Sequence, residues 1–204
     1  MRQQRQHVEG ARRLRAAGSA RRGAGRRLLA AALGVLAAAS VAAFGAAQGA
    51  GHEGEADAEA LTQAYLGGAR FQDLATAEAE GYVSTMDDLG CFEDEARGGM
   101  GLHYLNNALM DAELDPARPE ALVYELDAEG NVAALVAHEY IVPVDAWDSP
   151  EPPTVLGLEL HQHPVLPLWV LHAWLWKDNP SGMFQDYNPA VRLCPAGVKV
   201  FGQE

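Results

Sequence analysis

Two runs, Ala121-Leu-Val-Tyr-Glu-Leu126 and Val132-Ala-Ala-Leu-Val-Ala-His-Glu-Tyr-Ile-Val142, flank the link Asp127-Ala-Glu-Gly-Asn131. Both runs are rich in β-branched and aromatic residues. The link holds the Asp, Gly and Asn that a tight reversal needs, so the segment reads as a hairpin. Pro143 ends the second strand because proline cannot donate to a ladder. C-terminal to the hairpin, Val155 to His161 and Trp169 to Lys177 read as further strands, and Asn179-Pro-Ser-Gly182 reads as a turn. N-terminal to it, Leu102 to Leu105 reads as a short strand. Earlier still the period changes. Asp57 to Leu66 and Arg70 to Glu80 place Leu61 with Tyr65, Phe71 with Leu74, and Ala75 with Ala79 at helical spacing. Gly67-Gly68 is expected to break or bend that helix, and Gly81 to cap its end in the left-handed conformation. Helices first and strands afterwards predict an α+β domain, with N-terminal helices packed on an antiparallel sheet of about five strands. No repeat of 20–50 residues is visible.

Charge is divided unevenly along the 204 residues. Nine arginines and one acid, Glu9, lie in the first 27 positions. That leaves 6 of the 15 basic residues and 27 of the 28 acidic ones, a formal charge of −21, for the rest. So acidic a body offers phosphates no cationic face, which excludes nucleic acid as a partner. After the basic stretch comes an apolar, alanine-rich run from Leu28 to Phe44 and then a string of small residues. This is the pattern of a cleaved export signal, predicted over 1–49, with a single exported domain over 50–204. The run is too short and too alanine-rich for a stable membrane anchor. Arg26-Arg27-Leu28-Leu29 matches a twin-arginine signal only loosely, so the ordinary and twin-arginine routes both stay open. Gly51 to Asp57 reads as a flexible start to the mature chain. A periplasmic or extracellular location favours a disulfide between Cys91 and Cys194, the only two cysteines, over a thiolate nucleophile or ligand.

Motifs that are missing narrow the chemistry. There is no glycine-rich phosphate loop, no Gly-x-Ser-x-Gly and no His-Glu-x-x-His. Histidine remains. Glu159, His161 and His163 alternate, so an extended chain would put all three on one face, where His172 or His103 on a neighbouring strand could join them. Imidazoles in such a group suit Zn or Cu, and three ligands leave a coordination position open. A cupin would carry a Glu soon after its His-x-His; Pro164, Val165 and Leu166 stand there instead. The competing reading makes His161-Gln-His-Pro164 a solvent-facing turn, with His103 and His172 as core residues that each make one hydrogen bond. Val170, His172, Trp174 and Trp176 share a strand face, which reads either as core or, with Tyr104, as a ligand-binding surface. Glu139 sits in mid-strand on the face of Leu135, Ala137 and Ile141. There it is either a carboxyl of raised pKa or an edge-strand residue that reaches water.

Gly99-Met-Gly-Leu-His-Tyr104, Pro119-Glu-Ala-Leu-Val-Tyr-Glu125 and Leu171-His-Ala-Trp-Leu-Trp-Lys-Asp-Asn-Pro-Ser-Gly-Met-Phe184 resemble the motifs of a family of exported bacterial proteins with no assigned activity. The resemblance covers most of Leu61 to Cys194. It implies a shared fold and a separate leader, and it carries no activity to any residue.

Three functions fit these observations. The first is an exported domain that binds a small molecule or a transition metal through His103, His161, His163 and His172. The second is a metal-dependent enzyme at the same histidines, with Glu139 or Glu159 as general base on a bound water. The third is a non-catalytic envelope protein that acts through its surface.

Overall fold

The hairpin around Gly130 forms as the sequence predicts. Asp127 makes it rigid: its backbone N–H donates to Asn131 O at 2.8 Å, and its carboxylate accepts from Asn131 N at 2.8 Å. Gly130, at φ +87°, takes the left-handed position. The computed structural model describes residues 55–203, so the predicted leader over 1–49 and His52 lie outside the described residues. No helix among the described residues is long and apolar enough to cross a membrane.

The chain begins with helix α1, Ala58–Gly68. Asp57 caps it, its carboxylate accepting from Glu59 N at 2.8 Å and Ala60 N at 3.2 Å. Asp57 N–H also donates to Leu156 O at 2.8 Å, and Ala56 packs on the core. The end of the segment expected to be flexible is therefore docked. Gly67 and Gly68 stay inside α1. The break comes one residue later, in a 3-10 turn over Ala69–Gln72 that leads to the short helix α2, Leu74–Ala79. Gly68 serves close packing rather than breaking: a Cβ there would collide with the His138 ring and with Trp176. Gly81, at φ +98°, ends α2 as expected. Its N–H donates to Glu78 O and that of Tyr82 to Ala77 O, the paired bonds of a Schellman cap.

Nine strands follow: β1 Val83–Ser84, β2 Cys91–Asp94, β3 Gly98–Leu105, β4 Ala121–Leu126, β5 Val132–Pro143, β6 Thr154–Val155, β7 Leu158–Glu159, β8 His161–Gln162 and β9 Leu168–Ala173. Seven of them make one antiparallel sheet in the order β1-β3-β4-β5-β9-β8, with β2 also on β3. The sheet is larger than the five strands expected. The helical segments supply Ala64, Phe71 and Ala77 to its core.

Two strand expectations need correction. Val155 to His161 is not one extended run. Leu156 at φ +57° and Gly157 at φ +78° fold it back into the separate β6–β7 hairpin, because two successive left-handed residues form a reversing turn. Glu159, His161 and His163 therefore do not line one strand face. The strand expected to reach Lys177 stops at Ala173, since Trp174 N–H leaves the ladder for Met183 O at 3.0 Å.

The two sheet faces differ in chemistry. One carries Leu122, Tyr124, Tyr140 and Leu171, with the tyrosine hydroxyls donating at 2.7 Å to Phe71 O and Pro116 O. Leu135 joins this face through a register shift near Tyr124, so it does not share the face of Glu139 as simple alternation predicts. The other face carries His103, Ala121, Glu139 and His172, aligned by the pairs Ala121↔Glu139 and Glu139↔His172. The Cys91–Cys194 disulfide is formed, with Cα atoms 5.9 Å apart, and holds the C-terminal tail against β2.

Glu120, 1 % exposed, makes the fold sensitive to pH. Burial raises its pKa to about 8, although the carboxylate accepts from Ile141 N at 2.9 Å. Its proton is bound in the native state and released from the unfolded chain between the ordinary glutamate value of 4.5 and about 8. Stability should therefore fall as pH rises across that window. Glu120→Gln should flatten the slope by close to one proton, measured as denaturation midpoint against pH. An unchanged slope contradicts this assignment.

Candidate metal centre

Three strands bring the site together, and a small residue lets it close. His103 projects from β3, Glu139 from β5 and His172 from β9, with β4 between the first two. Strands lie about 4.8 Å apart, so His103 and Glu139 must reach toward each other across β4. On β4, Ala121 stands opposite Glu139 and Val123 opposite His103; Ala121 is fully buried and lines the cavity, and its single methyl leaves room. Glu139 lies on a central strand and is 7 % exposed, so the edge-strand reading does not hold. The sequence puts a carboxylate and two imidazoles where apolar side chains would pack better, a pattern found at functional sites.

The three groups converge. His103 Nε2 lies 3.3 Å from Glu139 Oε2, and His172 Nε2 lies 3.6 Å from Glu139 Oε1. One donor atom from each residue falls within 4.8 Å of the others. An ion with bonds of about 2.0–2.1 Å in tetrahedral geometry sets its ligand atoms about 3.3–3.4 Å apart, and the two imidazole–carboxylate separations, each to a different oxygen of Glu139, lie near that value. His172 Nε2 is fully buried and has no hydrogen-bond partner. Leaving such an atom unmatched costs about 1–3 kcal/mol, which a coordinate bond would recover. This buried His/Glu/His group can hold a metal ion.

Asp186 orients His172. Its Oδ1 lies 3.2 Å from His172 Nδ1, which favours a proton on Nδ1 and turns Nε2 toward Glu139. The other carboxylate oxygen lies 3.3 Å from His161 Nε2. Burial works against the Asp186 charge, but the bonds from His161 and His172 prevail and hold its pKa well below the ordinary range. Two side-chain bonds flank it on its loop: Trp174 Nε1 donates to Gln185 O at 2.6 Å, and Asn179 Nδ2 to Tyr187 O at 3.0 Å. Burial, with the neighbouring His172, pushes His103 down to about 3, so that ring is neutral and its lone pair available. Burial lowers His172 as well, but Glu139 and Asp186 outweigh it and the pKa rises. Burial raises Glu139, and His172 partly offsets the rise.

The group opens on a cavity of about 110 Å³. Phe92, next to the disulfide, meets the His103 ring edge-on at 4.8 Å and stacks on Phe201 at 4.3 Å.

The other expected residues fall elsewhere. His161 reaches Asp186 rather than the ligand group. His163 lines the cavity, but its Nδ1 accepts from Val165 N at 3.1 Å and Leu166 N at 2.9 Å, so half of its ligating capacity is spent on a turn. Glu159 is exposed in the β6–β7 hairpin. Trp174 stacks beside His172 at 6.2 Å, Trp176 packs on His138 across the sheet, and Tyr104 packs on Tyr124. None of these three lines the cavity. His138 is buried alone on the opposite face, 3.4 Å from Tyr140 OH. Asp186 escaped sequence reasoning because it lies in an irregular loop without periodicity, 14 residues beyond His172. Comparison with protein-family models, curated proteins and solved structures finds no match to this chain.

Proposed function

We propose that this is an exported protein that binds one divalent transition metal through His103, Glu139 and His172, with Asp186 as the outer partner of His172. The observation that carries the reading is the buried, unpartnered Nε2 of His172, held in place by Asp186 and facing a carboxylate and a second imidazole. Two imidazoles and a carboxylate are a borderline donor set suited to Zn or Cu(II). Both cysteines are oxidised, so no thiolate is available to favour a softer ion. Three protein ligands leave a coordination position open toward the cavity. A hydrolytic use of the site would need a base other than the two carboxylates singled out from the sequence: Glu139 is itself a ligand, and Glu159 stands outside the cavity.

His172→Gln tests the assignment. Glutamine keeps much of the size and hydrogen-bonding capacity but is a poor ligand for either ion. Zinc affinity, read by competition with a chromophoric chelator, should fall at least about 100-fold while the fold survives, since loss of an outer partner alone costs 10–100-fold. Unchanged affinity in a folded variant rejects the site.

A further inference from the structure

We propose that the cavity lined by His103, Glu139 and His172 takes a small monocarboxylate with an apolar tail, one oxygen on the bound ion and the other accepting a hydrogen bond from His163 Nε2. The first contact rests on the metal reading above, the second on His163 alone. His163 lines the same cavity as the three ligands. Its Nδ1 accepts from Val165 N at 3.1 Å and Leu166 N at 2.9 Å. Both donors are backbone N–H groups, whose hydrogens the peptide plane fixes. A proton on Nδ1 would collide with those two hydrogens, so the neutral ring carries its proton on Nε2. Nε2 is therefore a donor and not a further ligand for the ion. The two bonds from the turn also hold the imidazole in one orientation, with its ring edge-on to Phe201 at 6.2 Å. A nitrogen that can only donate needs an acceptor on whatever enters the cavity, and a carboxylate has a second oxygen to offer.

Charge selects the same head group once the ion is counted for every candidate. A donor atom on the ion sits about 2 Å from two positive charges and about 3.3 Å from the Glu139 oxygen that shares the ion. Asp186 adds a second negative charge from the Nδ1 side of the His172 ring, its oxygens 3.2 Å from His172 Nδ1 and 3.3 Å from His161 Nε2. Coulomb energy falls as 1/r, so for an anion bonded to it the ion outweighs both carboxylates. The same ion repels a cation, and an uncharged donor gains no charge–charge attraction. Without the ion only the carboxylates remain, and the order reverses. A dianion such as hydrogen phosphate brings a second charge with no free counter-charge to meet it. Among the described cavity-lining residues Arg97 is the one permanent cation, and its Nε and Nη2 reach Asp94 Oδ2 at 3.0 and 2.8 Å. Leu89, Phe92, Met110, Ile141, Leu166 and Leu168 also line this cavity of about 110 Å³, so a short hydrocarbon tail has apolar surface to cover.

Butyrate, 1-butanol and butylammonium share a tail and differ in head group. Calorimetry with each on the oxidised protein, zinc-loaded and metal-free, with zinc titrated in parallel, tests the proposal. Butyrate should bind the zinc-loaded form at least about tenfold more tightly than the other two, and should lose that advantage without zinc. His163→Asn puts an oxygen as many bonds from Cβ as Nδ1, so it keeps the acceptor for the turn and loses the Nε2 donor. It should retain zinc affinity and weaken butyrate at least about tenfold, the scale of a hydrogen bond to a charged group. His163→Gln, whose amide nitrogen reaches the Nε2 position, should recover part of that loss. If zinc binds and butyrate shows no preference over butanol, the carboxylate proposal fails and the metal reading stands. If zinc does not bind, the metal reading fails and the proposal fails with it. Undiminished butyrate binding by zinc-loaded His163→Asn overturns the role of His163, while the head-group comparison needs only the unaltered protein.

Discussion

Replacing Cys91 and Cys194 together by serine is expected to lower stability by about 4–5 kcal/mol under oxidising conditions. The disulfide closes a loop of 103 residues, and in the chain-entropy model a ring of that size strongly restricts the unfolded chain. Native contacts add to the loss. The bridge holds the tail where Cys91 N donates to Lys199 O and Phe201 N to Cys91 O, both at 2.8 Å. Releasing the tail would also unstack Phe201 from Phe92, which backs the His103 ring. For a domain of this size, the thermal midpoint should drop by roughly 10–15 °C. Reducing the native protein should lower it by a similar amount, and reduction should add nothing to the double variant. A midpoint unchanged in the double variant rules out a stabilising role for the bridge.

The second large effect separates a binding site from a structural network. Glu139→Gln should weaken zinc binding at least about 100-fold, by analogy with the 10–100-fold loss when only an outer partner is removed. The same change should leave the metal-free fold as stable or make it more so. Glu139 is buried with its pKa raised chiefly by burial, and a carboxylate in that position is costly to desolvate. If Glu139 served only to tie two strands together, glutamine would destabilise the fold and no ion would be involved. Chemical denaturation of the metal-free variant, paired with its zinc affinity, reads both quantities. A loss of stability with zinc affinity intact contradicts the metal assignment.

Much of this was legible in the sequence, for reasons that particular residues make clear. The β4–β5 hairpin was visible because Asp127, Gly130 and Asn131 specify a turn locally, whatever the rest of the chain does. Gly81 was visible as a cap because a left-handed residue at a helix end is a local requirement. His103, Glu139 and His172 could each be named from type and setting, since polar groups on apolar strand faces stand out. Their grouping could not be read, because it depends on the strand order β3-β4-β5-β9, a long-range property. The alternation of Glu159, His161 and His163 misled because Leu156 adopts a left-handed conformation unusual for a leucine, which no propensity argument would assign. Asp186 was hidden for a related reason: the loop that presents it carries side-chain bonds from Trp174 and Asn179 and no periodic signal.

The most direct test of the central claim is the coordination of zinc by the native protein. The measurement is X-ray absorption on the oxidised protein loaded with one equivalent of zinc, with a chelator titration to set the stoichiometry. One ion per chain is expected, held by two imidazole nitrogens and a carboxylate oxygen at about 2.0–2.2 Å, with a fourth light-atom ligand from outside the chain. Zinc that stays fully exchangeable with its water shell intact, or a coordination sphere without two imidazoles, would contradict that claim.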